Sequence, residues 1–543
     1  MAADEGTNGV QRDDGSQVQV GDRLKFDVDL ATVKFIGHIP SSKGVWLGVE
    51  WDNPSRGKHD GTHEGQKYFQ TSHPTAGSFI RPKKAEFGVR CLAALQDRYG
   101  RVETDDAGVV AEELYVLSSK KKQTFVEMVG AKSVNEKQSK LEELEDVSLR
   151  NMAIYGSGPN PDLSRFAPNI QELDLCQNLL PSWQSVATIA QQLPNLRTLN
   201  ISQNKLQFPD NPSDLIGCFP SLRCLYLNRM NYTWQEVLRC CSMFPVLEDL
   251  HVCFNNIKEL WGPNLLPKRL KLLNLESNPL EGWNQILKMG TLQNLEKLII
   301  TENNIETIIF PECEPTDKTP LFPKLQSLCL NRNQISEWSS VTEMNKLQNL
   351  KELKMQFNPI LVTVSMETAW EEVIARIGGL QIFNRTQVME SHRRGAEIDY
   401  LKKNGPEWIK AGGNEDPAKN NPSLEFLKKH PRYMELVKIY GAAEESEMVQ
   451  PSRTLKDNLI CVKIRSLAIP GKGVLEKKLP VTMTVQKLKS LVKRLFRVDN
   501  REITLSYRSQ KMQGPKIDFD NEMRQISFYS VETGDTIEAT WDT

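Results

Sequence analysis

Several features are scarce in this chain of 543 residues, and each scarcity removes a class of function. Its ten cysteines form no Cys-x-x-Cys pair, and none stands with histidine at metal-ligand spacing. Neither a disulfide framework nor a zinc site is expected, and the thiols read as reduced. No uninterrupted apolar run approaches the ~18 residues that cross a bilayer. The start, Met1-Ala2-Ala3-Asp4-Glu5, has neither the basic nor the apolar region of a signal peptide. A soluble, intracellular protein is expected. The formal charge of -1 supplies no global field for nucleic acid or membrane. Catalytic signatures are missing as well: there is no G-x-S-x-G and no H-E-x-x-H, and Gly471-Lys472-Gly473 lacks the spacing of a phosphate loop. His59, His63 and His73 lie near one another without a cysteine or carboxylate set at ligand spacing. No enzyme, cofactor or metal is expected.

The charge that is present is uneven. Residues 18–90 carry 11 Lys/Arg against 8 Asp/Glu, a local +3, and residues 456–543 carry 16 against 11, a local +5. In the first region Lys58, His59 and Asp60 stand between Gly57 and Gly61, followed by the aromatic pair Tyr68-Phe69. Glycine at both ends gives the loop a permissive backbone. Its amides can turn inward as a nest for a carboxylate, with Lys58 adding a point charge. Phe35, Trp46, Phe69 and Phe79 surround the loop in sequence, a combination suited to an acidic chain terminus that ends in an aromatic residue. The ordered series Gly21-Asp22-Arg23, Thr32 to Gly37, Trp46 to Glu50, Gly57 to Gly61 and Gly77 to Arg81 resembles the CAP-Gly family. That resemblance implies a small β-rich domain over residues 18–90 that binds Glu-Glu-Tyr/Phe tails, above all that of α-tubulin. The residues it implies are Phe35, Trp46, Gly57, Lys58, His59, Asp60, Gly61, Phe79 and Arg81.

From residue 144 the chain repeats the pattern L-x-x-L-x-L-x-x-N-x-L. Copies start at Leu144, Ile170, Leu196, Leu222, Leu247, Leu270, Leu295, Leu325 and Leu350, separated by 23 to 30 residues. This is a leucine-rich-repeat period. Positions one, four and six should point into a shared core, with short strands stacked in a parallel sheet on the concave face. The ninth-position residues Asn178, Asn204, Asn255, Asn278, Asn303, Asn333 and Asn358 should turn inward and satisfy backbone groups between coils. Met152 and Met230 hold that place in two repeats. The longest repeat contains Pro311, Pro315, Pro320 and Pro323 and is expected to bulge opposite the strands. Residues Val373 to Asn384 have the composition of a cap. The fifth positions hold Ser148, Asp174, Asn200, Tyr226, His251, Asn274, Ile299, Cys329 and Lys354, and the eighth add Phe254 and Phe357. Tyr226 and His251 should be exposed neighbours roughly one strand spacing apart, about 5 Å. Tyr226, His251, Phe254 and Ile299 are the expected client face.

Beyond the array, residues 391–440 read as charged helix and 441–455 as linker. Residues 456–543 then alternate as strand at Leu459 to Arg465 and Val474 to Leu479. A helix follows, with Thr484 as N-cap and a stripe at Val485, Leu488, Val492 and Leu495. Strands return at Ile503 to Tyr507 and Ile537 to Trp541. This order resembles a ubiquitin-like domain, without the Gly-Gly end that conjugation requires, so a docking module is expected. Its helix carries Lys487, Lys489, Lys493, Arg494 and Arg497, a solvated face or a dock for an acidic partner.

The expected fold is therefore multidomain α+β. Residues 1–17 are read as disordered, 18–90 as the CAP-Gly domain and 91–143 as linker and helical entry. The leucine-rich α/β solenoid with its cap follows over 144–390, then helix and linker over 391–455, and a ubiquitin-like β-grasp domain over 456–543. The three modules in this order resemble a family of tubulin-folding cofactors. The resemblance implies binding of α-tubulin, assembly and dissociation of the αβ-tubulin heterodimer, and work alongside tubulin-folding cofactors B, C and D in the cytoplasm, associated with the cytoskeleton. Two alternatives stay open at this stage: a microtubule-associated CAP-Gly adaptor, and a ubiquitin-pathway adaptor linking tubulin to the proteasome.

Overall fold

The structure is a computed structural model. It describes residues 9–543 apart from 41, 101–114, 118–122, 126–139, 159–161, 312, 445–447, 449–458, 470, 472, 499–501, 509–515 and 542–543. Most of the expected 91–143 and 441–455 linkers, and the chain end, lie outside the described residues.

Strands Arg23–Phe26, Asp29–Ile39, Ser42–Trp51 and Gly77–Ile80 form an antiparallel sheet in that order. Alternation buries Leu24, Ala31, Val33, Leu47 and Val49 on one face, closed by Trp51 and Phe87. Val10 and Val18 join this core. The stretch read as disordered up to residue 17 is therefore folded from residue 9 onward. Val18 N donates to Val10 O at 2.8 Å, and the buried Arg12 pairs with Asp22 at 2.5 Å. A polar hairpin with only two apolar side chains gives no periodic signal, and its order comes from the sheet it packs on.

The array is an eleven-stranded sheet, ten strands parallel from Asp146–Ser148 to Ile382–Phe383 and the last, Thr386–Gln387, antiparallel as a closing edge. In register, Leu173, Leu199, Leu225, Leu250, Leu273, Leu298, Leu328 and Leu353 make one continuous buried column. All seven ninth-position asparagines are buried. Asn278 shows how they work: its Nδ2 donates to Val252 O (3.0 Å) and Leu275 O (2.9 Å), while its Oδ1 accepts from the amides of Asn255 and Ile257 (3.0 and 3.1 Å). At the two methionine positions the next asparagine still serves the backbone, accepting from Met152 N at 3.1 Å and Met230 N at 2.9 Å.

Two periodic features escaped the sequence reading. In alternate repeats, from the second to the eighth, the coil opens into a helix that begins with tryptophan: Trp183–Ala190, Trp234–Cys241, Trp283–Leu287 and Trp338–Met344. Two of them carry side-chain N-caps, Ser182 and Thr233, the latter with Glu236 as a full capping box. The eighth residue of every repeat, from Asn151 through Arg229 and Phe254 to Phe357, sits at φ 54–61°. The turn from strand to coil demands it, although none of these residues is glycine.

Contacts group Met1–Val364, Val373–Arg393 and Lys428–Arg432 into one compact unit. Ser365–Glu372, Arg394–Leu427 and Tyr433–Thr543 form the other. The CAP-Gly-like sheet and the array thus share a unit. Val89 and Arg90 pair in parallel with Ile154 and Gly156, and Val89 N donates to Ala153 O at 2.9 Å. Gly88, at φ +79°, passes so close that a Cβ would lie 2.0 Å from Ala153 O. Around this joint the Arg12 guanidinium stacks 4.1 Å over Tyr155, Arg90 Nε lies 3.1 Å from Tyr155 Oη, and Lys205 reaches Asp52 at 3.4 Å.

In the second unit, helix Tyr433–Tyr440 and most of Leu424–Lys429 and Glu390–Lys410 match the expected helical segment. The C-terminal residues form a five-stranded mixed sheet. Its order is Leu475–Pro480, Leu459–Ser466, Thr536–Thr540, Thr504–Arg508, Ile517–Asp518, with helix Val485–Phe496 on one face. First and last long strands run parallel, which is the β-grasp arrangement expected. Trp541 packs against Phe496 at the helix end, 5.8 Å between ring centroids.

Candidate functional site

The loop 57–61 is held by the sheet beside it. Lys58 N and His59 N donate to Gly77 O at 2.7 and 3.2 Å, and Gly77 N returns a bond to His59 O at 2.7 Å. Gly61 N donates to His59 Nδ1 at 3.0 Å, and Thr62 N to Asp60 Oδ1 at 3.1 Å. The expected nest of inward-turned amides is therefore not formed by these groups, because strand Gly77–Ile80 and the loop's own side chains occupy them. The two glycines serve close packing: a Cβ on Gly57 would lie 2.2 Å from Thr75 O, and one on Gly61 2.0 Å from Phe69 O. Asp60 turns to Lys67 (3.1 Å), and bonds from Thr62 and then Lys67 hold its carboxyl down to about 2. The bond from Gly61 N assigns the His59 proton to Nε2, and burial, then His63, pushes its pKa below the usual histidine value.

What the loop presents is a cleft of about 490 Å³ that brings together Trp46, Lys58, His59, Phe79 and Arg81. Phe79 is its floor. Its ring meets Phe35, His59, His63, Tyr68 and Phe69 at centroid distances of 5.3 to 6.1 Å. Phe35 supports the floor without lining the cleft; Gly57, Asp60 and Gly61 shape the loop behind it. The Arg81 guanidinium lies 3.8 Å over Trp46 and is oriented by Ser42 Oγ at 2.9 Å. Sequence reading missed Arg56 and Lys84, which also line the cleft. Arg56 stacks 4.9 Å over Trp51 and pairs with Asp29 at 2.7 Å. Lys58 and Lys84 have no ion pair among the described residues. An aromatic floor ringed by four cations is matched to a carboxylate-rich ligand with an apolar end.

The second candidate surface lies along the concave strands. Tyr226 and His251 are register partners whose rings stack at 4.1 Å and 15°, nearer than the strand spacing that the pattern implied. Both are half-buried, where exposure was expected: face-to-face stacking covers each ring with the other. Burial pushes the Tyr226 hydroxyl pKa up and takes His251 down to about 4, with Lys297 adding to the latter. Asn274 Nδ2 lies 3.2 Å from His251 Nδ1, a bond that fits the neutral ring. Ile299 follows one strand beyond Asn274. Phe254 lies on the turn beyond its strand, capped by Arg229 at 4.0 Å, as Arg332 caps Phe357 at 5.0 Å. At the first repeats Asp146, Glu172 and Asp174 share a hollow of about 300 Å³ with Tyr99 and Tyr226.

Residues 20–85 match the CAP-Gly domain family. Over 96% of its length the chain is 45% identical to tubulin-specific chaperone E of Bos taurus, covering 98% of that protein. It is 44% identical to the Xenopus laevis protein and 43% identical to the Homo sapiens protein of the same name, again over 96% of this chain and 98% of each. A solution structure of the C-terminal ubiquitin-like domain of mouse tubulin-specific chaperone e aligns at 41% identity, covering 17% of this chain and 95% of that one, with TM-score 0.16.

Proposed function

This chain belongs to the tubulin-specific chaperone E family, and on that premise we propose that its cleft holds the acidic C-terminal tail of α-tubulin while the concave face engages the client's body. Its role is that of a tubulin-folding chaperone; the proposal concerns how the client is held. The observation that carries it is the pairing of the Phe79 floor with Lys58 and Lys84, two cations left without ion pairs among the described residues. A tail's penultimate acids meet those ammonium groups, and its terminal aromatic ring enters between Trp46 and Phe79. Two contacts on one body raise the effective concentration of the second once the first is made. In the cycle we propose, α-tubulin arrives with cofactor B, and the heterodimer is assembled and taken apart together with cofactors C and D, in the cytoplasm.

Titration of the purified chain with an α-tubulin tail peptide tests the tail reading. A charge-assisted contact contributes ~1.5–3 kcal/mol, so Lys58→Ala should weaken binding roughly tenfold or more, with affinity falling as salt rises. Deleting the peptide's terminal aromatic residue should cost more than deleting one glutamate. Equal binding by wild type and Lys58→Ala would end this assignment. Following heterodimer dissociation with and without cofactor B tests the rest.

A further inference from the structure

The C-terminal sheet leaves one face uncovered by its helix, and that face is not neutral. Register places four basic side chains on it, Lys463, Arg465, Lys478 and Arg508, against three acidic ones, Glu476, Asp518 and Glu538, with Cys461, Ser506 and Thr536 between them. At its centre Glu538 is 1% exposed, and its Oε1 accepts from both Arg465 Nε and Arg508 Nε at 3.1 Å. The two arginine side chains remain 42% and 56% exposed. One buried carboxylate thus orients two arginine forks and neutralises only one of them. Lys516, exposed at the same face, adds to the field around Glu538. Burial alone would raise the Glu538 pKa, yet Arg465, Arg508 and Lys516 hold it below the usual carboxylate value, so the template stays ionised.

We propose that this open sheet face is a docking surface for an acidic polypeptide segment, whose carboxylates complete the second arginine pair. The site is separate from the CAP-Gly-like cleft and has no aromatic floor, so it asks for Glu and Asp but for no terminal aromatic residue. Side chains of the face that could stack on a base are lacking in the three central strands, where Cys461, Thr504, Ser506, Thr536 and Thr540 alternate with the charged residues. That favours an acidic peptide over single-stranded RNA, which binds through stacking platforms. The face also differs from the helix surface considered first, where Lys489 is already paired with Glu522 at 2.7 Å. Arg is suited to the role because its planar fork holds one carboxylate while offering further N–H groups to another.

The test uses the full chain and a fluorescent ten-residue polyglutamate peptide with an amidated end, followed by anisotropy. Arg508→Gln should weaken binding about tenfold, with a shallower salt dependence. Thr536→Glu, between Lys463 and Arg508 in register, leaves the Arg465–Glu538–Arg508 group intact and should weaken binding to a similar degree. It serves where loss of the arginine disturbs folding. Repeated in a Lys58→Ala background, which removes one acid-binding cation from the tail cleft, the losses on Arg508→Gln and Thr536→Glu should persist, which separates the two sites. Unchanged affinity in both Arg508→Gln and Thr536→Glu overturns the proposal. So does loss confined to Lys58→Ala, or tighter binding of a ten-nucleotide oligouridylate than of the peptide.

Discussion

The CAP-Gly-like cleft and the concave face of the array both display aromatic rings from β-sheets, yet they use them in opposite ways. In the cleft the rings meet edge to face around Phe79, and cations stand at the rim with charge to spare. On the array Tyr226 and His251 stack face to face, half-buried, with Asp146, Glu172 and Asp174 toward the first repeats and Lys297 and Lys354 toward the last. The first surface concentrates one sign of charge, the field that the proposed acidic tail would meet. The second spreads both signs along a strip, the pattern that the proposed contact with a folded body would use. One site is a local loop on a small sheet; the other exists only because nine coils stack in register.

The largest effect that could break this contrast comes from beneath the strip. Leu250→Ala empties a site with 0% exposure in the central column and should cost ~2–5 kcal/mol in urea unfolding, while tail-peptide affinity of the folded chain stays constant. A loss of peptide affinity in that variant would mean that the cleft depends on the array's packing. The next effect is on acid stability. Folded His251 titrates near 4 against an ordinary 6.5, so between those values the unfolded chain takes up a proton that the folded chain refuses. Stability should fall as pH drops from about 6.5 toward 4 and be indifferent to His251 above that window; a two-dimensional NMR titration of the ring reads the value directly.

A smaller change, ~1–2 kcal/mol, is expected for Tyr226→Ala combined with His251→Ala, because the stack is half-buried and aromatic pairs contribute ~0.5–1.5 kcal/mol beyond area. The double variant should lose its acid sensitivity and its work on whole tubulin, yet bind tail peptide normally. Heterodimer dissociation at the wild-type rate would remove the stack from the client face. The smallest effect sharpens the cleft: Lys67 pairs with Asp60 at an exposed site, where ion pairs contribute ~0–1 kcal/mol, so Lys67→Ala should barely move either melting temperature or tail affinity.

What could be read from the sequence follows the same contrast. The leucine columns and buried asparagines were legible because a repeated pattern reports the same environment nine times. Phe79, Trp46 and Lys58 were legible as residue types in one loop-rich stretch. The fate of the loop amides was not, since Gly77 O reaches Lys58 and His59 only after a strand distant in sequence has folded beside them. Arg56 and Lys84 escaped for the same reason. Tyr226 and His251 were correctly placed as neighbours, but register alone says nothing of ring orientation, and stacking is what half-buries them. Left-handed φ at Arg229, Phe254 and Phe357 carries no compositional mark, because the coil imposes it on whatever residue stands there.

The strand pair of Val89–Arg90 with Ile154–Gly156 has a consequence of its own. It turns the path from the cleft to the first repeats into a gauge of fixed length. For a client held at both surfaces, the slack between its tail tip and its folded body becomes a measured quantity. A tail too short cannot span the gap, and one too long gains little from the second contact. On the proposed two-contact reading, clients would be sorted by the length of chain they can pay out, before any side chain on the strip is read.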